Sequence, residues 1–224
     1  MHENALMIRK TIFGDNHADV ARSYNNLASV YTRLGEYNQA KELHEKALMI
    51  TKIIFGENHA NVATCCNNLA EVYTRLGEYN QAKELFEKAL MTTKKIFGEN
   101  HANVATTCNN LALVYTRLGE YNQAKELFEK ALMITKKIFG ENHADVATCC
   151  NNLAEVYTCL GEYNQVKELH EKALMITKKI FGENHSDVAR SCNNLALVYT
   201  RLGEYNQAKE LLEKALMNSN FFSL

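Results

Sequence analysis

An internal repeat of 42 residues is the feature that most constrains the fold of this chain. The string Leu-Gly-Glu-Tyr-Asn-Gln begins at Leu34, Leu76, Leu118, Leu160 and Leu202, always 42 positions apart. A period of this length indicates one supersecondary unit per repeat, stacked on its neighbours so that their apolar faces are buried. The repeat predicts residues 1–14 as the C-terminal half of a preceding repeat's second helix, followed by five repeats at 15–56, 57–98, 99–140, 141–182 and 183–224.

Each repeat contains two helical patterns separated by glycine. In repeat 1 the first pattern has the 3-and-4 spacing of a single helical face, with Val20, Tyr24, Leu27, Ala28, Tyr31 and Leu34. Gly35 is placed to end this helix A and Gly56 to end helix B, and all ten glycines fall at these two positions of the repeat. Asn16 is the predicted N-cap of helix A, with Asp19 as the acid of a capping box. The expected fold is therefore all-α, an α-solenoid of stacked antiparallel helix pairs. Its core is expected to bury Leu27, Leu69, Leu111, Leu153 and Leu195.

Composition narrows the function classes. The formal net charge is −1, which lacks the excess of Lys and Arg that a general nucleic-acid-binding surface needs, so no nucleic-acid partner is predicted. No apolar run approaches the ~18 residues of a membrane span, and no membrane partner is predicted either. Seven cysteines, an odd number, favour a reducing interior, so the predicted location is cytoplasmic.

Cysteine and histidine invite a metal hypothesis that their spacing does not favour. Five histidines each open a helix A, one repeat apart, and they are better explained by local packing and capping at the junction between repeats. The adjacent pairs Cys65–Cys66 and Cys149–Cys150 point in different directions on a helix, and buried thiols act as small apolar groups. No metalloprotease motif, nucleophile elbow or phosphate-binding loop is present. We expect no metal, no cofactor and no catalysis.

Polar side chains recur on the helix A face opposite the core. The first asparagine of each Asn-Asn pair offers an amide that could bond an adjacent A helix or, alternatively, the main chain of a bound peptide: Asn25, Asn67, Asn109, Asn151 and Asn193. An arginine ladder near the end of helix A, at Arg33, Arg75, Arg117 and Arg201, is broken by Cys159. The helix dipole alone could favour these cations, or they could select carboxylates. Glu71 and Glu155 alternate with Leu113 and Leu197, so the face is expected to be mixed in character.

The repeats resemble tetratricopeptide repeats. In repeat 1 the resemblance is carried by Leu27, Ala28, Tyr31, Gly35, Tyr37, Ala40 and Ala47. The length of 42 and the phrases FGENHADVA and NNLAEVYTRLGEY are similar to the kinesin light chain and nephrocystin type, although the family's proline after the histidine is replaced, as at Ala18. The resemblance implies a right-handed superhelix whose concave wall is formed by the A helices and holds a partner's peptide. It also implies that asparagines on that wall bond the peptide main chain.

Two functions follow as hypotheses. The first is a non-catalytic protein-interaction module that binds a short acidic peptide in the groove lined by the A helices. Its predicted contacts are Asn25, Asn67, Asn109, Asn151, Asn193, Arg33, Arg75, Arg117, Arg201, Glu71, Leu113 and Glu155. The alternative is an architectural or autoinhibitory array within a larger protein, favoured by the near-identity of repeats 57–98 and 99–140. Self-association through the terminal repeats is also predicted, because nothing covers Leu211, Leu212 and Leu216 and the chain ends with Phe221 and Phe222.

Overall fold

The computed structural model describes residues 2–220, with side chains described for residues 6–216. Over this range the chain consists of eleven α-helices and contains no strand. They are α1 (His2–Phe13), α2 (Ala18–Leu34), α3 (Tyr37–Phe55), α4 (Ala60–Leu76), α5 (Tyr79–Phe97), α6 (Ala102–Arg117), α7 (Tyr121–Phe139), α8 (Ala144–Leu160), α9 (Tyr163–Phe181), α10 (Ser186–Arg201) and α11 (Tyr205–Asn220). The even-numbered helices are the predicted A helices, and α3, α5, α7, α9 and α11 are the B helices.

Glycine separates the two helices of a repeat, as predicted. Gly35 has φ 79°, and after it the Glu36 amide donates to the Tyr31 carbonyl at 2.9 Å. This left-handed position satisfies carbonyls at the end of helix A and favours glycine, since a Cβ there is strained. Helix B begins two residues later, so the two helices fold back on each other within a very short connection.

The N-terminus of helix A is capped by histidine, and the prediction of Asn16 as the N-cap was wrong. The His17 Nδ1 accepts a hydrogen bond from the Asp19 amide at 3.2 Å, and its ring stacks on Phe13 with centroids 4.5 Å apart. An imidazole nitrogen can satisfy an orphan amide at the helix start as a hydroxyl or carboxylate does. The same ring pair recurs at every junction, so the Ile-Phe-Gly segment and the histidine act together to join successive repeats.

The chain forms two compact bodies, Met1–Leu118 and Gly119–Leu224. The first contains α1 to α6 and the second α7 to α11, so the division falls inside the third sequence repeat. Within each body a B helix packs against the A helix before it or after it. The five predicted core leucines are confirmed as buried, with exposed fractions between 2% and 9%. Each body is thus a stack of helix pairs, and the chain is an all-α solenoid.

A lysine, a tyrosine and two glutamates tie successive repeats together. Lys41 of α3 donates to both carboxylate oxygens of Glu78 at 3.1 Å and lies 4.7 Å above the centroid of the Tyr73 ring. The Tyr73 hydroxyl donates to Glu45 at 3.0 Å. Burial and this acceptor raise the pKa of Tyr73 to about 12, so the phenol stays protonated at neutral pH. The equivalent cluster in the second body is centred on Lys167 and Tyr199.

Candidate peptide-binding site

The first asparagine of each pair lies where it can join helices. The Asn25 Nδ2 donates to the Cys65 Sγ at 3.1 Å, and its Oδ1 lies 2.8 Å from the His44 Nδ1, which therefore carries the proton. Asn67 donates to the Thr107 hydroxyl at 3.1 Å. In both cases a partner lies on the next A helix, 40 residues along the chain. These amides therefore provide interhelical bonds, one of the two roles that the sequence left open.

The remaining first asparagines vary in their surroundings. The Asn151 Oδ1 lies 3.0 Å from the His170 Nδ1, which repeats the arrangement of the first repeat. Asn109 is half-buried and makes contacts within the protein, whereas Asn193 is exposed. Asn25 and Asn151 also line surface grooves, so an interhelical bond does not remove their amides from solvent. A role in binding peptide stays a prediction for all five.

Four of the other predicted contact residues meet in one cleft of the first body. This first cleft, of about 540 Å³, lies between α4 and α6 above the start of α5. Its lining comprises Glu71, Thr74, Arg75, Tyr79, Phe86, Asn110, Leu113 and Arg117. Arg75 and Arg117 are exposed and Leu113 is half-buried, so two cations, one apolar side chain and a single carboxylate, Glu71, line this cleft. Such an arrangement can bind a carboxylate beside an apolar group.

A second cleft, of about 420 Å³, lies between α8 and α10 in the second body. Its lining comprises Asn151, Asn152, Glu155, Thr158, Tyr163, Val166, His170, Asn194, Leu197, Val198 and Arg201. The predicted residues Asn151, Glu155 and Arg201 therefore lie together here. Arg33 lies elsewhere, in a smaller groove of about 240 Å³ that it shares with His44 and with Glu71. The predicted contact residues are thus distributed over separate clefts.

The sequence model of the tetratricopeptide repeat family matches the chain in overlapping segments at residues 1–53, 19–95, 66–136, 103–179 and 151–217. The chain belongs to the tetratricopeptide repeat family. Members of this family are generally protein-interaction scaffolds without catalytic activity. A search of the curated proteins found no match.

Solved structures share this tetratricopeptide repeat fold. The crystal structure of BtubC (BKLC) from P. vanneervenii has a TM-score of 0.85 at 24% identity, over 99% of this chain and 88% of that chain. A kinesin-light-chain-like protein with nearly identical TPR-like repeats from Podosopora anserina has a TM-score of 0.82 at 27% identity, over 91% of this chain and 96% of that one. MamA from Desulfovibrio magneticus RS-1 has a TM-score of 0.67 at 16% identity, over 89% and 95% of the two chains. The chain is therefore similar to kinesin-light-chain-like repeat proteins.

In four of the five pairs the second asparagine lines a cleft or groove, a signal that sequence reasoning missed in these tetratricopeptide repeats. Asn110 lines the first cleft, Asn152 and Asn194 line the second, and Asn68 lines the smaller groove. The aromatic floor, Phe86 in the first cleft, was also missed. Neighbouring asparagines on a helix point about 100° apart, and which of the two faces a cleft depends on how far each A helix is rotated against its neighbour.

Burial sets the charge state of two groups beside the grooves. It lowers the pKa of His44 to about 4, and it also lowers the pKa of His170. Both imidazoles are therefore neutral near pH 7 and contribute hydrogen bonds but no charge. The charges available to a ligand in these tetratricopeptide repeat clefts are those of the arginines and glutamates. The first cleft contains one more cation than anion.

The cysteines serve packing rather than chemistry in most positions. Cys65, Cys66, Cys108, Cys149, Cys150 and Cys192 are buried, whereas Cys159 is exposed. Burial raises the pKa of Cys66 and of Cys150 to about 11. Among the described residues no group of three or more potential ligands is placed to hold a metal ion, and no helix is both long and apolar enough to cross a membrane. The cytoplasmic location inferred from cysteine content stays a prediction.

Thiol labelling should single out Cys159. With excess iodoacetamide at pH 7.5, we expect one equivalent to react quickly in the native protein and six more only after unfolding in denaturant. The reactive species is the thiolate, which must also be accessible to the reagent, and the six other cysteines are buried. Burial also raises the pKa of Cys66, Cys149, Cys150 and Cys192. Mass spectrometry of a time course checks this result. Rapid labelling at Cys66 would contradict the packing described here, and Cys159→Ser should lose only the fast phase.

Proposed function

We propose that the chain is a non-catalytic protein-interaction module that binds a short acidic segment of a partner protein in the first cleft. The observation that carries this proposal is that Arg75, Arg117 and Leu113 line one cleft that contains a single carboxylate. Guanidinium groups bind carboxylates through paired, charge-assisted hydrogen bonds, and the leucine offers contact to one apolar side chain. Affinity is expected to be modest, because an extended peptide loses conformational entropy on binding.

Asn110 is the amide best placed to hold the peptide main chain. It lines the first cleft, whereas Asn67 is bonded to Thr107 and so contributes to the packing of the A helices. An amide provides both a donor and an acceptor, which matches the peptide group independently of the side chains that a ligand carries. Recognition would then divide into main-chain binding by the asparagine and charge selection by the arginines.

Charge reversal in the first cleft tests the proposed function. The double variant Arg75→Glu/Arg117→Glu should weaken binding of acidic peptides more than about a hundredfold, since each charge-assisted bond contributes about 1.5–3 kcal/mol. The best peptides from an array are titrated by calorimetry at two salt concentrations, and binding should weaken at the higher one because exposed charges are screened. Lys46→Glu/Lys95→Glu, at exposed positions on B helices, has the same charge change and should bind normally.

The same titrations separate the roles of the two asparagines. Asn110→Ala should weaken acidic and neutral peptides to a similar degree, because both present the same main chain. Asn67→Ala should lower stability more than binding, since it removes the bond to Thr107. Selection of basic peptides by the array, or undiminished binding by the charge-reversed variant, would leave the architectural array as the better hypothesis.

Self-association through the terminal repeats remains a separate proposal. Leu212 and Leu216 are exposed at 44% and 65%, whereas Leu211 is partly buried against the last core cluster. Phe221 and Phe222, which also entered this prediction, lie outside the described residues. Exposed leucines on one helix face are compatible with association but do not select its geometry. The proposal therefore stands on the sequence argument.

A further inference from the structure

The two clefts recur with a period of two repeats. Glu71 and Glu155 are 84 positions apart, and seven lining positions of the first cleft match lining positions of the second at this separation. The matched pairs are Glu71 and Glu155, Thr74 and Thr158, Tyr79 and Tyr163, Phe86 and His170, Asn110 and Asn194, Leu113 and Leu197, and Arg117 and Arg201. The smaller groove of the first body does not match, because it has Ser29 where the two clefts have glutamate. The two clefts therefore recur after 84 residues, which is twice the length of the structural repeat.

Each cleft has two walls. One wall has the same sequence in both clefts, and the other differs in sequence between them. The segments Asn110–Arg117 and Asn194–Arg201, which form the constant wall, have identical sequences. Repeats 57–98 and 141–182, which form the other wall, differ at five positions. Three of these differences change which residues line the clefts. Phe86 is replaced by His170, and Val166 joins the lining of the second cleft where repeat 57–98 has Ala82. Arg75 lines the first cleft, whereas its counterpart Cys159 is not among the residues that line the second. The amino-acid differences between the two clefts therefore lie on one wall, while the opposite wall is identical.

These differences alter the charge and the size of the second cleft. Only Arg201 contributes a cation to its wall, because position 159 holds a cysteine, and Glu155 balances that charge. His170 adds no charge, since its buried ring is neutral near pH 7. Val166 joins the lining, and the volume is about 420 Å³ compared with about 540 Å³ in the first cleft. An acidic ligand would find one arginine in the second cleft instead of two and should bind more weakly there. An uncharged ligand does not depend on these arginines and should not be affected by the difference.

We propose that the second cleft is a second peptide-binding site that takes an uncharged segment with one apolar side chain. One chain then holds two segments of different charge, and the residue at position 75 or 159 determines which charge each cleft accepts. This inference rests on the proposed function of the first cleft, and it extends that function to a partner with two segments or to two partners. Leu197 is 62% exposed and offers the apolar contact.

An exchange of arginine and cysteine tests the charge rule. The probes are a blocked peptide with one leucine flanked by two glutamates on each side, and the same peptide with glutamines. For the parent protein we expect one equivalent of the acidic peptide in calorimetry, and for Cys159→Arg two equivalents. Arg75→Cys should weaken the acidic peptide about tenfold at the first cleft, as expected for one charge-assisted bond. Cys159→Ser is the control and should keep one equivalent.

Hydrogen exchange assigns each binding event to a cleft. The acidic peptide should protect α6 in the parent protein and both α6 and α10 in Cys159→Arg, whereas the glutamine peptide should protect α10. Leu197→Glu, an exposed change, should remove protection of α10 by the glutamine peptide, and Leu113→Glu should not. The arginine at 159 should be compatible with the fold, because Arg33, Arg75, Arg117 and Arg201 occupy the equivalent positions and are exposed.

The outcomes distinguish the two proposals. Two equivalents of acidic peptide on the parent protein, or a single equivalent on Cys159→Arg, would overturn the inference while leaving the first cleft in place. If the acidic peptide protects no part of the parent protein, the proposed function fails. Protection of α10 by the glutamine peptide, lost in Leu197→Glu, would still support the second cleft in that case. If the glutamine peptide does not protect α10, the proposal of a binding site in the second cleft fails as well.

Discussion

Leu69→Ala is expected to lower the free energy of unfolding by about 2–5 kcal/mol, the usual range for a leucine removed from a packed core. Leu69 is 3% exposed and packs in one cluster with Leu48, Val62 and Cys66. Alanine would leave a cavity between helices of successive repeats, and the backbone of a stacked helix pair has little freedom to close it. Urea denaturation followed by circular dichroism measures the change.

A leucine on the surface provides the control for this prediction. Leu34 is 65% exposed at the end of α2, and Leu34→Ala should change stability by less than about 0.5 kcal/mol. The comparison holds residue type constant and varies only burial. A loss below about 1 kcal/mol in Leu69→Ala would show that the buried face of helix A has been assigned wrongly.

His44→Phe is expected to make the protein less sensitive to acid. Burial lowers the pKa of His44 to about 4, whereas an unfolded chain has an ordinary value near 6.5. The unfolded state therefore binds a proton more readily, and the contribution of His44 to stability is complete above about pH 6.5 and is lost as the pH falls through 4. The shift corresponds to about 3 kcal/mol in total. Unfolding free energies measured between pH 7 and pH 4 should decline less steeply in the variant.

Natural differences among the repeats suggest both His44→Phe and the opposite substitution, Phe86→His. Phe86 and Phe128 occupy the position of His44 in repeats 2 and 3 and are equally buried, so phenylalanine fits this environment. Phe86→His should then create a new acid-sensitive site and steepen the decline. Other titrating groups affect parent and variants alike, so the differences in slope isolate this one position. Parallel pH profiles for His44→Phe and the parent would contradict the assignment of a buried neutral imidazole.

The sequence predicted the parts of the fold that depend on short-range signals. Glycine at fixed positions and apolar residues at 3-and-4 spacing were enough to predict the helices and the burial of leucines such as Leu69, because both depend on backbone geometry within one repeat. The choice of Asn16 as the N-cap was wrong, although packing and capping at this junction were expected of the histidines. His17 competes with Asn16 at the same boundary, and the choice depends on stacking with Phe13. A histidine that follows Ile-Phe-Gly in every repeat was the available signal.

The site was less predictable because its residues meet across repeats. Asn67 was predicted on a polar face, and its bond to Thr107 depends on how the next A helix is rotated and shifted. The same packing decides that Asn110, and not its neighbour, lines the first cleft. The pairing of Glu71 with Leu113 in one cleft likewise depends on contacts between repeats. Sequence periodicity supplies the ladder of side chains, and only the packing of the helices decides which members share a cleft.

The lysine–tyrosine–glutamate tie has a consequence for how a gene of this kind can change in length. Lys41 with Glu78 and Lys167 with Glu204 make the same junction in different parts of the chain, so one copy can follow another without a new interface. Unequal recombination between near-identical segments could therefore add or remove whole copies while the helices still stack. Loss of a single copy, residues 99–140, would bring Glu155 into the place of Leu113 and set two carboxylates in one cleft. Loss of the two copies at 99–182 would instead place Glu71 beside Leu197 and keep the glutamate–leucine order, so an internal change of two copies preserves a cleft that a change of one copy disrupts.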